Sequence, residues 1–129
     1  MATGSNIRTF FNGTWQDGDQ PIIKAADHAA WLGSSVFDGA RFFDGMTPDL
    51  DLHFARTNGS AEALMPTPTV STDDMVALAR EGLAQSDNGT EVNIRPTDCG
   101  IHGDITNIAP TPPPHGFATC LRQSPRAPT

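Results

Sequence analysis

The chain has 129 residues, enough for one domain with one modest core. Fifteen acidic residues against eight basic ones give a formal net charge of −7, which excludes a nucleic-acid backbone or a polybasic membrane anchor as the expected partner. No apolar run approaches the ~20 residues of a membrane helix, and the N-terminus MATGSNIRTFF lacks the charged-then-apolar pattern of a secretory signal, so a cytoplasmic protein with free thiols at Cys99 and Cys120 is expected.

IRTFF, then Asn12-Gly13, then TW reads as a β-hairpin, because both turn positions tolerate positive φ. QDGDQP is a second turn and IIK, residues 22–24, a further short strand. Asp27 opens a brief helix, DHAAWLG, that Gly33 can end. SSVFDGARFF, residues 34–43, alternates small or polar with apolar residues and is expected as one strand with a glycine inside it. By its period of two, Phe37, Gly39 and Arg41 share one face, where an aromatic ring, a gap and a cation could line a small-molecule pocket.

Residues 50–65 follow helical periodicity, with Leu50, Phe54, Ala61, Leu64 and Met65 on one side and Pro66 and Pro68 beyond. His53, Arg56 and Ser60 fall on the flank of that stripe. A guanidinium beside small residues, with a hydroxyl one turn on, can hold a phosphate by paired charge-assisted hydrogen bonds. It can equally be a flank arginine with its head in water.

STDDMVALAREGLAQ, residues 71–85, is the clearest helix. Ser71 is a good N-cap, two aspartates favour the positive end of the dipole, and Arg80 lies towards the other end. EVNIRP is a strand expected to stop at Pro96, with Arg95 placed to meet a carboxylate. From Cys99 to His115 the pattern dissolves into Gly, Pro and Thr, and GFATCLRQ offers a last strand. The order of elements predicts an α+β fold with a mostly antiparallel sheet. The sequons at Asn12, Asn58 and Asn88 read as turn or helix residues. Asp98, Cys99, His102, Asp104 and His115 cluster, but without the paired spacing of a structural zinc site, so no metal is expected.

Taken together, DHAAWLGSSVFDGARFFDG, then H-x-x-R-x-x-x-S-A from His53 to Ala61, then EVNIRP resemble the class IV (fold-type IV) pyridoxal-phosphate aminotransferases, most closely the branched-chain amino acid aminotransferases. The resemblance runs to about Pro96, and more loosely to the end. It implies that Arg56 binds the phosphate of pyridoxal 5'-phosphate, that Phe37, Gly39 and Arg41 border the substrate pocket, and that Arg95 helps to hold a substrate carboxylate. The implied reaction passes an amino group reversibly between an amino acid and a 2-oxo acid such as 2-oxoglutarate, in a homodimer.

Departures from the pattern lie at Asn93, which takes the place of a tyrosine, and after Pro96, where TDCGIHGD replaces bulky apolar residues. The family's Schiff-base lysine lies in a C-terminal domain, and the one lysine here, Lys24, does not match it. Residues 1–122 are therefore expected to form the small N-terminal domain, with 123–129 starting a linker and the lysine-bearing domain absent. The aminodeoxychorismate lyase branch, the D-amino acid and amine transaminases, and a non-enzymatic truncated module are the alternatives.

Overall fold

In a computed structural model of the protein, the described residues are 7–11, 13–64, 70–84, 86, 89–100 and 115–123, without the side chains of 31, 64, 100 and 115–117. The elements follow in the order β1 (Ile7–Phe11), β2 (Thr14–Asp17), α1 (His28–Leu32), β3 (Ser35–Phe37), β4 (Ala40–Phe42), α2 (Leu50–Leu64), α3 (Thr72–Leu83), β5 (Val92–Gly100) and β6 (His115–Gln123). Six antiparallel strands form one sheet in the order β2-β1-β6-β5-β3, with β4 also paired to β5. This is the α+β arrangement that the alternation of strands and helices predicts.

One face of the sheet carries the main core. Phe10, Phe42, Val92, Ile94 and Leu121 meet Leu50 and Phe54 of α2 and Met75 of α3 there. Alternation along β5 produces this sidedness: Val92 and Ile94 are buried under the helices, while Asn93 and Arg95 on the opposite face are exposed. At one end of that second face, Ala29 of α1 packs with Cys99 and Phe11. Cys99 and Cys120 form no disulfide, and burial pushes each thiol upward, Cys99 to about 11.

The helix ends follow local chemistry. The Ser71 hydroxyl accepts from the Asp74 N–H, and Gly33 adopts φ 68° to close α1. The Asp27 carboxylate does not cap α1; it accepts the Lys24 N–H instead. That contact curls residues 24–27 into a turn, so IIK is not a strand. Asn58 is buried in α2 and donates to the Val70 carbonyl, a helix residue rather than a glycan acceptor. Asn12, Asn88, Met65, Pro66, Pro68, His102 and Asp104 lie outside the described residues. Among the described residues no helix is long and apolar enough to cross a membrane.

The C-terminal end of α3 is tied to β1 and β2. Arg8 Nη1 donates to the Gly82 carbonyl at 2.7 Å, and Trp15 Nε1 donates to the Leu78 carbonyl at 3.1 Å. The Trp15 ring lies so close to Gly82 that a Cβ there would sit 2.6 Å from Cε2. Gly59 in α2 has open space instead. Alanine normally favours a helix over glycine by up to ~1 kcal/mol. Gly59→Ala should therefore stabilise the chain by about 0.5–1 kcal/mol. Gly82→Ala should destabilise it by about 1–3 kcal/mol through overpacking. Urea midpoints of the two variants should move in opposite directions.

Candidate functional site

The site starts from a proline. The sequence predicts one strand over 34–43 and an end to β5 at Pro96, and the structure differs on both points. β5 runs through Pro96 to Gly100, while the strand opposite splits into β3 and β4. The register does not slip across the split: Phe37 stands opposite Thr97, and Ala40 opposite Ile94. What fails is the ladder. The Asp38 N–H reaches the Pro96 carbonyl at 3.4 Å, but proline has no N–H to return to the Asp38 carbonyl. The missing donor faces β3 and β4, so the pairing of β5 with β6 is unbroken from Val92 to Gly100. A proline survives in an inner strand because its defect is spent on one neighbour, at Asp38–Gly39.

The Asp38 side chain leaves this gap on the side of α2. Its Oδ1 accepts the Gly39 N–H at 2.7 Å. Arg56, from the second turn of α2, donates Nε to Oδ2 at 2.8 Å and Nη2 to Oδ1 at 3.1 Å. His53, one turn earlier, places Nδ1 2.8 Å from Arg56 Nη2 and 3.2 Å from Asp38 Oδ1. An unprotonated Nδ1 accepts from the guanidinium, and a protonated one donates to the carboxylate. Burial pushes the Asp38 carboxyl up, but hydrogen bonds from Arg56, the Gly39 N–H and His53 together outweigh it and hold the group below its ordinary value. The same pair raises the Arg56 guanidinium. The Arg56 side chain is 65% exposed, and Nη1 has no hydrogen-bond partner among the described residues. Ser60, one turn on, is exposed as well.

Phe37, Arg41 and Arg95 lie on the opposite face of the sheet, where Arg95 meets Phe37 and Arg41 turns to Glu91 and Phe43. Arg41 stands opposite Asn93, diagonal to Arg95, and the Arg95 guanidinium carbon lies 3.9 Å from the centre of the Phe37 ring. Phe37 is 60% exposed, an uncommon position for a phenylalanine in a strand. Arg41 makes an exposed ion pair with Glu91 at 3.5 Å. Gly39 sits at the gap with nothing near the place of a Cβ. The candidate residues thus divide between the two faces of the sheet edge, and the Asp38–Gly39 gap joins the halves. Asp38 is absent from the residues that the sequence singles out, and His53 appears there on the α2 flank and in the H-x-x-R motif without a role. The signal for them was present in D-G opposite R-P and in the i, i+3 spacing of His53 and Arg56.

Among the described residues no group of three or more His, Cys, Asp or Glu side chains could hold a metal ion. Asp98 and Cys99 point to opposite faces of β5. The Lys24 ammonium is exposed and has no ion pair among the described residues.

No family model matches the chain. An aminotransferase from Brucella abortus, crystallised with its cofactor PLP, is 48% identical and superposes with a TM-score of 0.85 over 95% of this chain and 44% of its own. This is the fold of a class IV aminotransferase N-terminal domain. The branched-chain aminotransferase of Escherichia coli shares the aminotransferase fold at TM-score 0.72 and 23% identity, over 95% of this chain and 42% of that one. A Methanocaldococcus jannaschii protein provisionally named as a branched-chain-amino-acid aminotransferase is 27% identical over 77 residues, 60% of this chain and 27% of its own length. This aminotransferase-like chain spans less than half the length of the relatives it matches.

Proposed function

We propose that the chain provides the phosphate-binding and carboxylate-binding parts of a pyridoxal 5'-phosphate-dependent aminotransferase. The enzyme would move an amino group between a branched-chain or related amino acid and a 2-oxo acid such as 2-oxoglutarate. One observation carries this reading: the 48% identity to the PLP-bound Brucella abortus aminotransferase extends over 95% of the chain. The residues fit the phosphate end of the cofactor. Arg56 keeps Nη1 for a further acceptor, and Gly39 and Ser60 leave its surroundings open.

When bound, the cofactor supplies the electron sink for chemistry at the substrate α-carbon. The chain's own residues bind and orient. Arg56 Nη1 would hold the phosphate, Arg41 and Arg95 would offer cations to substrate carboxylates, and Phe37 forms an apolar wall on which Arg95 rests. On this reading Lys24, exposed and without an ion pair among the described residues, takes no part in holding the cofactor aldehyde. Dimer formation and a cytoplasmic location go with the same reading.

Titration of the purified chain with pyridoxal phosphate, followed by phosphorus NMR, tests it. Arg56→Ala should weaken binding about tenfold, the low end for a charge-assisted hydrogen bond because the group is exposed. Lys24→Arg and Arg80→Ala should change nothing. Equal affinity in the wild type and Arg56→Ala would remove Arg56 from the cofactor site.

A further inference from the structure

We infer that Asp38 is a positioning residue for Arg56, holding its guanidinium so that Nη1 alone faces an incoming phosphate; this rests on Arg56 being the phosphate ligand. A free arginine on a helix flank samples many rotamers, and each must be given up when it binds. Here the selection is already made. Two donors on one edge of the guanidinium, Nε and Nη2, meet the two oxygens of one carboxylate at 2.8 and 3.1 Å, which fixes both the position and the plane of the group. The remaining Nη2 hydrogen has an acceptor in an unprotonated His53 Nδ1 at 2.8 Å. That leaves Nη1, on the side of the guanidinium away from Asp38.

The anchor is itself fixed without Arg56. Asp38 sits where Pro96 interrupts the ladder, its backbone N–H still on the Pro96 carbonyl and its Oδ1 on the Gly39 N–H. Its side chain is only 19% exposed, against 65% for Arg56. The half-buried, doubly held partner therefore sets the geometry, and the exposed partner follows. A carboxylate next to an anion receptor also subtracts positive charge. Because the phosphate would approach from the Nη1 side, with water and the guanidinium between it and Asp38, orientation outweighs that loss.

A double-mutant cycle on the full chain tests this, with pyridoxal phosphate and unphosphorylated pyridoxal as probes. Asp38→Ala should weaken pyridoxal phosphate about fivefold and leave pyridoxal unchanged. The pair Asp38→Ala/Arg56→Ala should be no worse than Arg56→Ala alone, since the first residue acts through the second. Without ligand, the Arg56 Nε–H proton should give a slowly exchanging resonance in the wild type that Asp38→Ala loses while the sheet's backbone amide resonances stay in place, which separates a lost pair from a lost fold. Unchanged or tighter pyridoxal phosphate binding in Asp38→Ala, with Arg56→Ala still weakened, would overturn the inference and spare the function. No loss in Arg56→Ala would overturn the function and the inference together.

Discussion

Replacing Asp98 by asparagine should raise the urea midpoint of the chain at pH 8 and leave it nearly unchanged at pH 4. Asp98 lies on the helix-covered face of β5 with 0% exposure, and neither carboxylate oxygen has a hydrogen-bond partner among the described residues. Burial alone pushes its carboxyl up to about 7 from an ordinary value of 3.8. The unfolded chain therefore loses this proton near pH 4, while the folded chain keeps it until about 7. Across that window the folded state binds more protons, so stability falls as pH rises. It is fully present below pH 4 and lost by the time pH passes 7. A shift of this size corresponds to at most about 4 kcal/mol.

Asparagine has nearly the same shape and carries no charge at any pH, so the difference between Asp98→Asn and the wild type isolates this group from the rest of the chain. Urea midpoints at unchanged slope, measured from pH 4 to pH 8.5, provide the check. Parallel profiles for the two proteins would mean that Asp98 is solvated or paired.

Phe54→Ala should cost about 3–5 kcal/mol, a large part of the ~5–15 kcal/mol that holds a domain of this kind together. Phe54 is 0% exposed and seats α2 on Phe42, Ile94 and Met75. Its loss leaves a cavity that β-strand neighbours cannot close. Phe37→Ala, in a residue 60% exposed, should change stability by less than about 1 kcal/mol. Thermal unfolding of the two variants separates a phenylalanine of the core from one on the surface.

Local chemistry accounts for what the amino-acid sequence determined by itself. The β1–β2 hairpin, α1 with its Gly33 stop, and α3 with its Ser71 cap are each specified by residues within a few positions of one another. Ordered motifs also single out Arg56 and Arg95 as candidates. The tertiary structure alone decided what depends on neighbours in space. Pro96 reads as a strand end, yet its missing donor matters on one side only, and β6 carries the strand through. The same proline splits the opposing strand and frees Asp38, eighteen residues from Arg56 in sequence, to meet it. Asp98 reads as a polar loop residue and is buried because Pro96 does not end β5. Backbone hydrogen bonds to two different neighbours cannot be read from one strand, and that is why the gap and its carboxylate emerge only in three dimensions.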